Sequence, residues 1–178
     1  MKKSVLLLFF AGCVATGIFG IGRKIPMNRV NDLGQREGYW RDSVGGGFVY
    51  DLYYKGGKKD GLFKCFIRNE LFLFGEYTAD NMSGTWYMFG DEGELRCTID
   101  SIEFNKDSIY TGYPCCRIFC KYKCHSIDYY PSGAVKSEGY MVCDEEFEIE
   151  IWEIGEWKYY DESGNLIKTK DYGDRRTP

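Results

Sequence analysis

The eight cysteines are the residues of this chain with the widest chemical repertoire, because thiols ligate metals, form disulfides and act as nucleophiles. They are Cys13, Cys65, Cys97, Cys115, Cys116, Cys120, Cys124 and Cys143. The spacing Cys116-x3-Cys120-x3-Cys124, followed by His125, suggests a zinc site. The surrounding residues have strand composition, and strand residues four apart are separated by roughly 13 Å, whereas a zinc–sulfur bond is about 2.3 Å. We predict no metal site. A disulfide among these cysteines and a role as small core residues both stay open.

Other catalytic groups are scarce in this sequence. His125 is the only histidine and directly follows Cys124, so on a strand their side chains point to opposite faces and cannot form a catalytic pair. The acidic stretch 144–151 alternates carboxylates with apolar residues, which is typical of a half-buried strand. Gly45-Gly46-Gly47 lacks the lysine and the following helix of a phosphate-binding loop, and it indicates a hairpin turn. The sequence predicts no catalytic residue, no cofactor and no enzyme.

The elements that position these residues are predicted to be strands. The 178 residues are 17% aromatic and include 22 glycines against 4 prolines. Aromatic side chains fit a pleated, half-buried surface, and glycine supplies the positive φ that tight turns need, so this composition predicts an all-β chain. The net charge of −4 and the pI of about 5.2 argue against nucleic acid as a partner, since phosphate backbones select basic proteins.

The first 22 residues form a separate segment. A lysine pair precedes an uncharged run from Ser4 to Gly22. Small residues before Cys13 resemble the cleavage site of a bacterial lipoprotein signal, in which Cys13 would carry the lipid. The run is also long enough to cross a bilayer uncut as a helix, and a plain cleaved signal is the third alternative. We expect residues 1–22 to be a signal peptide or membrane anchor that tethers the body to the bacterial cell envelope, with 23–31 as a linker.

A degenerate repeat runs through the rest of the chain. Its marker is a glycine, one intervening residue and an aromatic residue, at Gly38-Tyr39-Trp40, Gly61-Leu62-Phe63, Gly84-Thr85-Trp86 and Gly155-Glu156-Trp157. The first three copies are spaced by 23 residues, and the fourth follows 71 residues later. A further unit around Tyr129–Tyr140 fits the same frame, so five units begin near positions 38, 61, 84, 124 and 155. The repeat places four aromatic rings in one slot: Trp40, Phe63, Trp86 and Trp157.

One repeat unit is predicted to be a β-hairpin. A strand such as Trp86–Phe89 ends in Asp91-Glu92-Gly93, where Asp caps its own backbone and Gly accepts the left-handed conformation, and a returning strand begins at Leu95. Asp161–Leu166 repeats this order. An isolated hairpin is marginally stable, so the units must stack into one elongated antiparallel sheet that buries its aromatic row. The alternative is that the aromatic row stacks against a ligand, but we favour a core role.

The repeat domain is predicted to span 32–172, followed by a tail at 173–178. Two stretches, 96–123 and 141–154, break the 23-residue frame and are interpreted as insertions. Binding specificity is expected there, because loops inserted on a repeat scaffold are not required by the fold.

In register, these units resemble the MORN repeat variant of bacterial proteins of the YwqK-type antitoxin family. The resemblance rests on the glycine-x-aromatic marker, on Asp32–Trp40 as a first unit and on Tyr130–Tyr140 as an inner one, and it covers about 32–95 and 124–172. It implies a non-enzymatic elongated sheet that contacts other molecules. We therefore expect a protein-binding or scaffold module with a protein partner. The alternatives are a toxin-neutralising protein and a Cys-rich metal-binding protein or enzyme.

Overall fold

The prediction of an all-β chain is confirmed by a computed structural model of the protein. The structure describes residues 26–106, 110–111, 118–144 and 152–173. These residues contain no α-helix, and a short 3₁₀ turn at Gly45–Gly47 joins two strands. The predicted signal or anchor segment, with Cys13, lies outside the described residues.

Fourteen strands make up most of the described chain. They are β1 (Arg29–Val30), β2 (Arg36–Val44), β3 (Phe48–Lys55), β4 (Lys58–Lys59), β5 (Gly61–Ile67), β6 (Glu70–Thr78), β7 (Asn81–Phe89), β8 (Leu95–Phe104), β9 (Tyr110–Thr111), β10 (Ile118–Phe119), β11 (Tyr122–Tyr129), β12 (Val135–Cys143), β13 (Trp152–Tyr160) and β14 (Leu166–Asp171). Twelve form one open antiparallel sheet whose spatial order follows the chain, while β9 and β10 pair with each other. The sheet is therefore a meander of successive hairpins.

Four hairpin turns share one backbone design. In the β7–β8 turn the amide of Gly90 donates to the carbonyl of Glu94 at 2.9 Å, and the amide of Gly93 donates to the carbonyl of Gly90 at 3.0 Å. The same pair of hydrogen bonds closes the turns at Asn31–Gln35, Tyr130–Ala134 and Asp161–Asn165, and each turn has a positive-φ glycine at its fourth residue. This shared design explains why the turn sequence predicts where the returning strands begin.

The sheet has two faces with different surroundings, which we call inward and outward. The inward face buries the main core: Leu52, Phe63, Cys65, Leu73, Tyr77, Met82, Trp86, Cys97, Ile99, Tyr122, Cys124, Met141, Cys143 and Trp157. The sheet curls around this core. The curl is seen in a hydrogen bond of 3.1 Å that the amide of Met82 on β7 donates to the hydroxyl of Tyr122 on β11, across the intervening β8. The outward face carries the alternate residues of the same strands.

Three segments predicted to lie outside the repeat frame are partly built into the sheet. Residues 96–104 form nearly all of β8, which pairs with β7 on one side and β11 on the other. Residues 141–143 complete β12, and residues 152–154 begin β13. Near the end of the predicted linker, Arg29–Val30 pairs with β2. The departures from the hairpin frame therefore fall after β8 and after β12.

Candidate interaction surface

The cysteine–histidine cluster of the sequence is divided between the two faces. Cys124 is wholly buried on the inward face, whereas His125 lies on the outward face, with 3.5 Å between its Nδ1 and Asp100 Oδ1. Cys120 belongs to a separate, smaller core cluster, and Cys116 lies outside the described residues. Within the described chain, no three His, Cys, Asp or Glu side chains converge as metal ligands.

The aromatic slot of the repeat lies on the inward face. Phe63, Trp86 and Trp157 are buried, and Trp40, near the β1 edge, is half-buried. The ring centroids of Phe63 and Trp86 are 5.4 Å apart, and Tyr77 packs edge-on against Trp86 at 5.1 Å. Trp86 has 0% exposure and thus presents no surface to a ligand. Aromatic side chains that are partly exposed also lie on the other face of these strands.

Two of the three glycine-x-tryptophan markers, those beginning at Gly84 and Gly155, form a bulge of the same form. Gly75 of β6 lies opposite three residues of β7, Gly84–Trp86, because the pairing shifts between Phe74 and Glu76. In the same way Gly139 of β12 lies opposite Gly155–Trp157 of β13. Gly84 and Gly155 adopt φ of +66° and +61°, a region that favours glycine and that allows the strand to bulge.

Each bulge seats an indole ring on the glycine of the neighbouring strand. A Cβ atom at Gly139 would lie 2.5 Å from the ring of Trp157, and one at Gly75 would collide with the ring of Trp86. The indole N–H of Trp157 donates to the carbonyl of Tyr140 at 2.8 Å, which fixes the ring over its glycine. The marker is visible in the sequence, but its glycine partner on the adjacent strand is a non-local feature that the sequence analysis missed.

The outward face of β2–β7 carries a second set of apolar side chains, five of them aromatic, that remain partly exposed. We call this set the outward aromatic face, and it comprises Tyr39, Tyr53, Leu62, Phe66, Phe74 and Tyr87. Tyr39 and Tyr53 lie 5.5 Å apart, and Phe74 and Tyr87 lie 6.0 Å apart, between ring centroids. Tyr53 is 40% exposed and Leu62 is 45% exposed. Aromatic side chains left at the surface in this way are typical of protein-contact sites.

Charged groups border these rings. The guanidinium of Arg41 lies 5.9 Å from the ring of Phe66, and its Nε is 3.5 Å from Asp51 Oδ1. Burial, together with a hydrogen bond to Asp51, raises the pKa of the Tyr39 hydroxyl above its ordinary value. The Tyr39 hydroxyl is therefore neutral at physiological pH and is engaged with Asp51.

Strand register arranges the outward residues into one transverse row. In sheet order the row contains Arg41, Asp51, Lys64, Phe74, Tyr87, Thr98, Ile127, Glu138 and Lys158. Its centre is largely apolar, and charges of both signs lie at its two ends. An apolar centre with a polar rim is the usual arrangement of a protein–protein interface.

A signal for this face was present in the sequence. Aromatic doublets such as Tyr39-Trp40, Tyr53-Tyr54 and Trp86-Tyr87 place one ring on each face of a strand, because successive side chains alternate. The repeat marker contains only the inward member of the doublets Tyr39-Trp40 and Trp86-Tyr87 as its aromatic residue, so the outward ring does not stand out in the repeat frame.

A small hollow of about 490 Å³ lies at one end of the sheet, between the β5–β6 and β7–β8 turns. Arg68, Phe72, Phe89 and Asp91 are among its lining residues. Its charges are of opposite sign, and it contains none of the thiols or the histidine described above.

Comparison with family models, curated proteins and solved structures gave no match. The fold thus defines the class of the protein by itself, as an open antiparallel meander with a buried inward face and an aromatic outward face. The described residues include no helix with the length and apolar character needed to span a bilayer.

Proposed function

We propose that this protein is a non-enzymatic protein-binding or scaffold module built of MORN-like repeats and tethered to the bacterial cell envelope through residues 1–22. The observation that carries the binding role is the outward aromatic face, whose tyrosine and phenylalanine rings stay partly exposed although the same strands bury a full core on their other side. Tyrosine and phenylalanine are enriched in the cores of protein interfaces, and tyrosine is frequent among the residues that carry most of the binding energy.

The recurrence of one local structure supports the repeat assignment. The bulges at Gly84–Trp86 and Gly155–Trp157 have the same register, the same positive-φ glycine and the same opposing glycine. Four five-residue turns with identical hydrogen bonds punctuate the sheet. Units that recur in this way stack on their neighbours and offer a long surface for contact.

The chemistry of the surface favours a protein partner. Its rings lie beside both cations and carboxylates, such as Arg41, Asp51 and Lys64, so a partner with complementary charges around an apolar patch fits it. The chain carries a net charge of −4, which disfavours nucleic acid.

Partner capture with face-specific variants tests the binding role. The full-length protein is cross-linked in its own cells, captured and compared with a Tyr53→Ala/Leu62→Ala double variant. We expect the double variant to fold, by circular dichroism, and to lose the captured partner at least tenfold. Leu33→Ala is the matched control, because Leu33 is an 80% exposed apolar residue in the β1–β2 turn. Equal capture by both variants would contradict the assignment of the outward aromatic face.

Labelling with a fatty-acid probe tests the tether separately. We expect deletion of residues 1–22 to release the protein from the membrane fraction. If the segment is a lipoprotein signal, the Cys13→Ala variant loses the fatty-acid label. If it is an uncut anchor, the same variant remains in the membrane fraction. Unchanged membrane fractionation after deletion of residues 1–22 would contradict the proposal that this segment tethers the protein.

A further inference from the structure

Two thiols of the inward core lie close enough to react with each other. Cys124 of β11 and Cys143 of β12 place their Sγ atoms 3.6 Å apart, and both residues have 0% exposure. They are diagonal neighbours on adjacent strands, since Cys124 pairs with Met141 and Cys143 pairs with Tyr122. Cys97, also buried on this face, instead contacts the hydroxyl of Ser126 at 3.2 Å.

We propose that Cys124 and Cys143 form a reversible dithiol–disulfide pair, which a small disulfide such as oxidised glutathione converts into a covalent link between β11 and β12. The Cys143 thiolate attacks one sulfur of the oxidant, and the other half leaves as glutathione thiolate. The Cys124 thiolate then attacks the Cys143 sulfur of this mixed disulfide and expels the second glutathione. One S–S bond breaks and one forms, and two protons and two electrons pass from the protein to glutathione.

The position of the pair in the sheet makes the reaction local. Cys143 is the last residue of β12, and Cys124 is the third residue of β11 at the same end. Strand ends open with a smaller free energy than the sheet centre, so the proposed reaction begins when this end of β12 frays and Cys143 meets the oxidant. The two sulfurs then have to approach to about 2.05 Å, which requires a change of side-chain rotamer and a small adjustment of the strand ends.

The closed sheet protects the pair from random modification. A hydrogen bond with Cys143 and burial raise the pKa of the Cys124 thiol far above its ordinary value, so this thiol is protonated and unreactive while the sheet is closed. The rate of oxidation is therefore set by opening of this end of the sheet. The inference concerns the core alone and does not depend on the proposed binding function.

Tryptic mapping of the full chain tests the proposal directly. Cleavage after Lys123, Lys136 and Lys158 places Cys124 in the peptide 124–136 and Cys143 in the peptide 137–158. The protein is reduced in mild detergent, equilibrated with oxidised glutathione, quenched with acid and alkylated. We expect a disulfide-linked species whose mass is two hydrogens less than the summed masses of the peptides 124–136 and 137–158. This species should disappear on reduction with dithiothreitol.

A thermal melt of the same samples measures the consequence. We expect the oxidised protein to melt about 5–10 °C above the reduced protein, because the link restricts the unfolded chain. Cys124→Ala should abolish this difference, whereas the matched core variant Cys65→Ala should retain it. Recovery of both peptides alkylated and unlinked after equilibration, or of Cys124 linked to a different cysteine, would overturn the proposal. The wild-type map decides this even if a variant fails to fold.

Discussion

The indole ring of Trp157 lies against the backbone of Gly139, so closely that a Cβ atom on that glycine would stand 2.5 Å from the ring. The ring cannot move away easily, because its N–H is held by the carbonyl of Tyr140. Trp86 has the same relationship with Gly75. Burial of these rings thus requires a residue without a side chain on the neighbouring strand.

We predict that Gly139→Ala destabilises the fold by about 1–3 kcal/mol, because the new methyl group displaces the Trp157 ring. This direction is opposite to the usual effect, since alanine in a strand interior is ordinarily better than glycine by roughly 0.5–1 kcal/mol. Urea unfolding followed by tryptophan fluorescence measures the change. Gly45→Ala is the control, because a Cβ there meets nothing within 4 Å, and equal effects at both positions would contradict the prediction.

Trp86→Ala should be the most damaging of the tryptophan truncations in the repeat slot. Trp86 is fully buried between Phe63 and Tyr77, and loss of a buried ring costs about 3–5 kcal/mol. Trp40→Ala should cost clearly less, because this ring is half-exposed near the edge of the sheet, and Trp157→Ala should fall between them. Chemical denaturation followed by circular dichroism gives the ranking. An unchanged melting temperature together with lost partner capture in Trp86→Ala would identify the inward row as the binding platform.

Alkaline pH should weaken the fold in part through Cys97. Burial raises the pKa of this thiol to about 12, above its ordinary value of 9.0, and a hydrogen bond with Ser126 only partly offsets the rise. Between these two values the unfolded chain releases a proton that the folded chain keeps, so this contribution to stability is complete below about pH 9 and declines above it. We expect Cys97→Ala to show a shallower fall in melting temperature between pH 8 and about pH 11. Parallel curves of melting temperature against pH for Cys97→Ala and the wild-type protein would refute the contribution of Cys97.

Acid pH should weaken the fold in part through the β13–β14 turn. The pKa of Asp161 lies below its ordinary value of 3.8, because its carboxylate accepts hydrogen bonds from the side chain and amide of Asn165 and from the amide of Ser163. The stabilising effect is present above the ordinary pKa and is lost as the pH falls through the lowered one. Asp161→Asn should therefore show a smaller drop in melting temperature between about pH 5 and pH 3. Glu162→Gln removes the adjacent charge and should leave the wild-type pH profile in place.

The parts of the fold that depend on local chemistry could be predicted from the sequence. The Asp161–Asn165 turn follows from its own residues, and the strand after it begins at Leu166 as expected. The pairing of Trp86 with Gly75 depends on the register between two strands, which no single segment encodes. The sequence predicts β8 only as the strand that returns from the turn at Asp91–Gly93 and begins at Leu95. Its second pairing, with β11, could not be predicted, because the stretch 96–123 departs from the 23-residue frame.

The candidate surface was only partly predictable for a related reason. Binding was expected in the stretches 96–123 and 141–154, on the ground that the fold does not require them. That expectation stays a prediction, since part of both stretches lies outside the described residues. The outward aromatic face, which we propose as the contact surface, lies on the regular strands β2–β7, where each ring shares its strand with a buried residue. Which member of a doublet such as Trp86-Tyr87 faces the core depends on the curl of the whole sheet, and the curl results from long-range contacts such as that between Tyr122 and Met82.

The chain-ordered sheet has an evolutionary consequence. Strands that are neighbours in the large sheet also follow one another in the chain order. Duplication of a single hairpin would therefore insert two strands and displace the following strands together. A copy of the β6–β7 hairpin, for example, would bring its own bulge, its own tryptophan seat and its own outward rings. Gene duplication would therefore lengthen the surface in steps of one hairpin, and the number of hairpins would set how far the sheet extends towards a partner.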